Sequence, residues 1–254
     1  MVRYDFRSPR LYVDAPLSAG ATLTLSKPQG HYLADVLRLK SGDPVLLFNT
    51  RDGEWRARLG APAKRAVTLA VEAQTRAQSA PGNLHYLFAP LKRARLDYVV
   101  QKAVEMGVSR LQPVLTRHTQ AERVNVERMR ANAIEAAEQC GILLLPDICE
   151  PVPLARALAD LEPARLLVFC DEDAPTADPA AALKAAALSQ GAPLAVLIGP
   201  EGGFAAEERA LLLARTDIVR LALGPRILRA DTAAVAALAL VQSVLGDWRG
   251  EDTR

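Results

Sequence analysis

The sequence predicts an α/β protein in two parts, a small β-barrel followed by a larger domain built on a parallel sheet. Two rhythms and one break carry that reading. Up to residue 78, short runs alternate apolar and polar residues, as in Thr22-Leu23-Thr24-Leu25, which is the period of a half-buried strand. From Leu84 onward, unbroken apolar runs such as Leu194-Ala195-Val196-Leu197-Ile198 alternate with helical stretches, the pattern of parallel strands covered on both faces. Between the two, Gln78-Ser79-Ala80-Pro81-Gly82-Asn83 has the composition of a linker. The expected domains are therefore residues 1–78 and 79–254.

In the front part, strands are expected at Arg10 to Val13, Thr22 to Leu25 and Val45 to Phe48. Asp52-Gly53 signals a tight turn into Glu54 to Leu59, where alternation puts Trp55, Ala57 and Leu59 on one face. Val67, Leu69 and Val71 alternate in the next strand. One helix interrupts the set: Pro28 opens it, and Leu33, Val36 and Leu37 fall at helical spacing within His31 to Leu39.

In the second part, Leu84 to Ala89 precedes a helix carrying Leu96, Val99, Val100, Ala103 and Val104 and stopped by Gly107. Leu111 to Leu115 reads as a strand, Val126 to Cys140 as a long helix ended by Gly141. Apolar strands follow at Leu166 to Phe169, Leu194 to Ile198 and Ile218 to Leu223. Pro179 to Leu188 is an alanine-rich helix. The last helix, Thr232 to Leu245, has Val235, Leu238, Val241 and Leu245 on one stripe and alanine around much of the rest, so it is buried on most sides.

Composition narrows the function classes. With 50% hydrophobic and 24% charged residues the chain is an ordinary globular one. Its longest apolar segment, Ala233 to Val241, is about half of what a membrane span needs. Asp5, Arg7 and Arg10 interrupt any apolar leader, so a cytoplasmic location and no membrane contact are expected. Cys140, Cys149 and Cys170 form no disulfide set or metal knuckle, and His31, His85 and His118 lie far apart; reduced thiols and no metal are expected. Residues 1–78 hold 12 Lys and Arg against 7 Asp and Glu, a net of +5, leaving 19 against 22, a net of −3, for the remainder. That asymmetry points the front part toward a polyanion.

Two loops say most about function. Leu197-Ile198-Gly199-Pro200-Glu201-Gly202-Gly203-Phe204 and Leu223-Gly224-Pro225-Arg226-Ile227-Leu228-Arg229-Ala230-Asp231-Thr232-Ala233 each end an apolar run in glycine and proline before a helix start. Glycine lets main chain approach a ligand, and proline stiffens the turn. Set at the carboxyl ends of neighbouring strands, they flank the crevice where open α/β sheets bind ligands. The first loop fits neither dinucleotide nor polyphosphate patterns. Free of lysine and bearing Glu201, it suits a ligand with positive charge and an aromatic part.

These loops, with Lys92 to Val108, Glu138-Gln139-Cys140-Gly141 and His31 to Arg38, resemble the RsmE-type ribosomal RNA methyltransferases of the SPOUT class over nearly the whole chain. The resemblance implies an amino-terminal PUA-like RNA-binding barrel and a SPOUT α/β domain tied in a trefoil knot. It further implies S-adenosylmethionine as cofactor, held by Leu197, Ile198, Gly199, Pro200, Glu201, Gly202, Gly203, Leu223, Gly224, Ile227, Leu228 and Thr232, and a homodimer formed through the last helix. One departure is visible: the family's usual glutamate is Asp231 here. As a helix cap aspartate serves at least as well.

The implied reaction is methylation of N3 of one uridine in 16S ribosomal RNA, free or in the assembled 30S subunit. The base must be unpaired and turned into the pocket, and its N3 proton must leave. Arg229 is the candidate for stabilising the uridine anion, Glu201 and Asp231 the candidate bases. Candidate RNA contacts are Arg3, Arg7, Arg10, His31, Arg38, Lys92, Arg95, Lys102 and Arg226. Two other readings stay open at this point: a SPOUT enzyme acting on a ribose 2′-hydroxyl, and an RNA-binding protein without catalysis.

Overall fold

The computed structural model describes residues 5, 7–60, 67–121, 123–175, 178–186 and 191–249. Arg3 and the end of the alanine-rich helix, residues 187–188, lie outside the described residues. By packing, the chain separates into two units: Met1–Ala80 with Ala137–Leu145, and Pro81–Ala136 with Pro146–Arg254.

The first unit is a five-stranded sheet of β1 (Arg10–Tyr12), β2 (Thr22–Thr24), β3 (Pro44–Asn49), β4 (Gly53–Leu59) and β5 (Thr68–Arg76), in the order β1-β3-β4-β5-β2. Alternation does what the sequence expects of it. Val45, Leu47, Ala57, Leu59, Leu69 and Val71 meet in one core, with Trp55 half-buried against it. Gly53 turns the β3–β4 hairpin at φ 77°, a conformation that disfavours any residue with a Cβ.

The expected helix over His31 to Leu39 is replaced by two shorter pieces. After β2, α1 (Lys27–His31) starts from a capping box between Ser26 and Gln29, and a π-helical turn over Tyr32–Val36 follows. Within that wider turn Leu37 N–H reaches back to Tyr32 O at 2.9 Å, a five-residue step, so residues three and four apart no longer share a face. Leu33 is fully buried, but Val36 is 58% exposed and Leu37 36%. Arg38 then takes φ 56°, a costly conformation for a residue with a Cβ, and leaves its side chain exposed.

Arg10, expected on the RNA-facing surface, is buried instead. Its guanidinium is not available to RNA, because its side chain is only 8% exposed and donates Nε to Glu54 at 2.8 Å. Its remaining donors reach the carbonyls of Ala137, Glu138 and Ile142. Arg76 gives Nη2 to Glu54 at 2.6 Å and Nη1 to Gly141 O at 2.8 Å. The end of a helix presents unpaired carbonyls and partial negative charge, so the two arginines satisfy the end of the Glu138–Gly141 stretch and Glu54 balances them. Burial alone would push the Glu54 carboxyl up; the bonds from Arg76 and Arg10 outweigh it and hold it below the glutamate range.

The second unit carries β6 (Leu84–Phe88), α2 (Ala94–Glu105), β7 (Arg110–Leu115), α3 (Val126–Cys140), β8 (Asp147–Ile148), β9 (Val152–Pro153), α4 (Leu154–Ala159), β10 (Leu166–Cys170), α5 (Pro179–Lys184), β11 (Leu194–Ile198), α6 (Ala206–Leu213), β12 (Ile218–Leu221) and α7 (Ala230–Val244). The last residues of α3 belong with the first unit. The strands run in the order β12-β10-β11-β6-β7-β8, with β9 also beside β7, and every pair is parallel. Gly107 and Gly141 follow their helices at φ 75° and 71°, the left-handed stop expected of them.

Three anchors set the geometry of this sheet. Buried Arg165 holds the amino ends of the central strands by donating to Leu194 O at 2.9 Å and Asn83 O at 3.0 Å. Gln242 in α7 donates to Met106 O at 2.7 Å and so ties the last helix to the end of α2. Along α7, Ala234, Ala237, Leu238 and Val241 are buried while Val235, Ala236, Ala239, Leu240 and Val244 are half-buried. At the carboxyl edge, Asp171 is the anchor described next.

Candidate functional site

A cavity of about 420 Å³ lies at the carboxyl ends of β10, β11 and β12, lined by the segments that follow each strand. From β11 come Ile198, Gly199, Pro200, Glu201, Gly203 and Phe204; from β12, Leu221, Leu223, Gly224, Pro225, Arg226, Ile227 and Leu228. The two loops singled out in the sequence thus meet in one hollow. Their strands are not neighbours, however, since β10 stands between them and contributes Cys170, Asp171 and Glu172 to the wall. Only the acidic run Asp171-Glu172-Asp173 after an apolar strand marked this third loop in the sequence.

Asp171 organises that wall. Its side chain is fully buried and accepts Arg209 Nη1 at 2.8 Å and Arg220 Nε at 2.7 Å, and Arg220 also donates to Asp173 O at 2.5 Å. Burial opposes the charge, but the two guanidinia outweigh it and hold the carboxyl below the aspartate range. Next to it, burial together with the Asp171 charge pushes the Cys170 thiol up to about 12. Cys170 is therefore a neutral apolar wall, not a nucleophile.

The β11 loop is held from two sides. Phe204 folds its ring under Gly199 and packs edge-on against Phe169, with centroids 5.4 Å apart. From the other side His118 donates Nδ1–H to Gly203 O at 2.9 Å and lies against Gly202, where an added Cβ would come 3.3 Å from the His118 Cβ. Between these supports Glu201 is gripped by both Nη atoms of Arg95, the second at 3.2 Å. That pairing holds the Glu201 carboxyl below its ordinary range, which makes it a weaker proton acceptor than a free glutamate.

The other expected site residues fall as follows. Leu197 is buried in the core with Leu87 and Phe169, and Gly202 and Thr232 stand outside the cavity lining. Arg229 occupies the N-cap position of α7, exposed and without a side-chain bond there. Asp231 sits in the first turn and accepts the N–H of Thr232 at 2.9 Å; it complements the helix dipole without being the cap. Arg226, read as an RNA contact, lines the cavity itself. Lys102 is bonded to Glu105 at 2.7 Å, His31 to Asp35 at 2.7 Å, and Arg95 to Glu201. Arg7, Arg38 and Lys92 are exposed.

A second hollow adjoins the first. Pro90, Leu91, Lys92, His118 and Gln120 surround it together with Pro200 and Glu201, which also face the cavity.

Comparison with known proteins places this architecture. Residues 78–242 match the RNA methyltransferase domain and residues 25–72 the RNA methyltransferase PUA domain. A ribosomal RNA small subunit methyltransferase E from Synechocystis is 31% identical over 239 residues, covering 93% of this chain and 78% of its own. One from Rickettsia conorii is 29% identical, covering 92% and 94%. A putative methyltransferase from Legionella pneumophila, solved with S-adenosylmethionine bound, superposes with a TM-score of 0.80 at 28% identity over 94% of this chain and 98% of that one. A Neisseria gonorrhoeae methyltransferase E shares the fold at 0.80 and 24% identity, over 95% and 100%. The α/β domain on a parallel sheet behind a PUA-like module, expected from the sequence, is borne out. By these matches the chain belongs to the RNA methyltransferases, in the family of ribosomal RNA small subunit methyltransferase E.

Proposed function

We propose that this protein methylates N3 of one specific uridine in 16S ribosomal RNA, with S-adenosylmethionine as methyl donor. The observation that carries the reading is the convergence of the Gly199–Phe204 and Leu223–Leu228 loops on one cavity. About 420 Å³ is within the roughly 300–1,000 Å³ of small-ligand sites. Main chain that glycine keeps accessible, with Ile198, Leu223 and Leu228, suits an adenine; the carboxylates of Glu172 and Glu201 suit the cationic end of the donor. When bound, the donor supplies an electrophilic methyl group. Arg229 and Arg226 are exposed beside this cavity, and they are the residues to balance the negative charge that uridine develops as it loses its proton.

Residues 1–78 form the proposed RNA-gripping module and residues 79–254 the catalytic domain. Arg7 and Arg38 are its exposed cations among the expected contacts. A homodimer is supported by the half-buried apolar side of α7, carrying Val235, Leu240 and Val244, and by Ile227, 98% exposed. The 30S subunit as substrate and a cytoplasmic location accompany this reading.

The test is incubation of the protein and labelled S-adenosylmethionine with small subunits from a strain lacking the enzyme, followed by nucleoside mapping. Label on uridine N3 supports the proposal. Label on a ribose, or none, removes it.

A further inference from the structure

We infer that His118 is the general base that takes the N3 proton of the substrate uridine. This rests on the uridine-N3 reading above and names the proton acceptor for it. Three observations on the loop after β7 lead there.

First, the ring is fixed in tautomer. Gly203 offers a carbonyl, which only accepts, so Nδ1 must be the donor in their 2.9 Å bond. In neutral imidazole the other nitrogen is then a bare acceptor. Nε2 has no partner among the described residues.

Second, the loop that carries the exposed ring is fixed in place. Thr116 N–H bonds Thr119 Oγ1 at 2.8 Å and Thr119 N–H bonds Thr116 O at 3.1 Å, closing a tight turn around His118. Arg117 N–H is held at 2.8 Å by Glu208, whose other oxygen caps α6 at Ala205 N–H, 2.9 Å away. A base must be positioned before its basicity matters.

Third, the ring stands beside the cavity proposed for the methyl donor. It lines the hollow that shares Pro200 and Glu201 with the cavity, and its bonding partner Gly203 is itself part of the cavity wall. The alternatives are worse placed. Glu201 is already paired with Arg95, and Asp231 is turned to its own backbone.

The step balances as follows. The N3–H bond of uridine breaks and its proton passes to Nε2 of His118, while the freed electron pair on N3 forms the new bond to the methyl carbon. The sulfur–methyl bond breaks with its electrons retained on sulfur, and the imidazolium later returns its proton to water. Charged groups that share the hollow with the ring are Lys92 from the loop after β6 and Glu201, whose partner Arg95 comes from α2; Glu208 from α6 holds the main chain of the preceding residue.

His118→Asn is the informative variant, because the asparagine amide nitrogen can occupy the position of Nδ1 and keep the Gly203 bond while no base remains at Nε2. Single-turnover methylation of small subunits lacking the modification should fall by about 100-fold or more at pH 7. Melting temperature and S-adenosylmethionine affinity should match the wild type, and the deficit should narrow as pH rises and solution hydroxide replaces the base. In His118→Ala, added imidazole should restore part of the rate. If the wild type labels uridine N3 and His118→Asn keeps its rate and pH profile, His118 is not the base. If the wild type labels another atom, the parent reading fails instead. A variant that loses cofactor affinity along with rate assigns His118 to loop support and overturns the proposal.

Discussion

Gly199 and Phe204 occupy one space. A Cβ on Gly199 would collide with the Phe204 ring, coming 2.9 Å from Cζ and nearer still to Cε2, and the ring cannot retreat because Phe169 backs it edge-on. The glycine is therefore required by packing, whatever its backbone angles.

Gly199→Ala should accordingly cost about 1–3 kcal/mol through overpacking and displace the main chain that lines the cavity. Calorimetric titration with S-adenosylmethionine should show at least a tenfold loss of affinity. Wild-type affinity would mean the loop yields without disturbing the cavity.

Asp171→Asn leaves Arg209 and Arg220 facing a neutral amide at a fully buried position. Breaking one side of such a pair costs about 3 kcal/mol. Because the folded carboxyl titrates below its unfolded value, its contribution is complete at neutral pH and lost as pH falls below about 4. Thermal melts should show a large gap between wild type and variant at pH 7 that closes on acidification.

His85 fails in the same direction, on acidification, but begins at a higher pH. Burial, then the nearby charges of Arg165 and Arg110, lowers it to about 4. Below about pH 6.5 the unfolded chain binds a proton that the folded chain refuses. Stability is thus lost between about pH 6.5 and 4. In His85→Gln melting curves, that loss should be reduced while the loss due to Asp171 persists.

Arg10 and Arg38 should separate structure from RNA contact. Arg10→Ala removes one of the two arginines on buried Glu54 and leaves Arg76 in place, so it should lower the stability of the first unit by about 2 kcal/mol, leaving the salt dependence of RNA binding unchanged. Arg38→Ala should leave melting intact, weaken binding and reduce the slope of log affinity against log salt by about 0.7–0.9. Filter binding across a salt series measures both.

Glu201→Gln tests one of the two candidate bases named from the sequence. With Arg95 already paired to it, the variant should bind S-adenosylmethionine less well yet keep the shape of the wild-type pH–rate profile. A profile that loses its acidic limb would return the base role to Glu201.

Much of the fold was legible because it depends on neighbours in the chain. Period-two alternation located β4 and β5, unbroken apolar runs located β6, β10 and β11, and Gly107 and Gly141 ended their helices where expected. Short elements with weak periodicity were not: β8, β9 and α4 left no pattern to read. The Tyr32–Val36 turn misled, since its apolar spacing is helical and only the bond from Leu37 back to Tyr32 shows the extra residue in the turn.

For the site, glycine and proline marked two of the three walls, because a loop that brings main chain to a ligand needs those residues wherever the fold places it. Residue types alone could not say which charges are spent. Arg10 and Arg38 are both arginines in a basic segment, yet one is buried on Glu54 and the other stands in solvent. Likewise His118 is a lone histidine 85 residues from Gly203 in sequence, and Asp171 lies 38 and 49 residues from its two arginines. Local sequence determined the strands, the helix ends and the ligand-facing loops through backbone stereochemistry and apolar period. Only the tertiary structure, by bringing distant chain segments within bonding distance, decided which ionisable groups are partnered and which stay free to act.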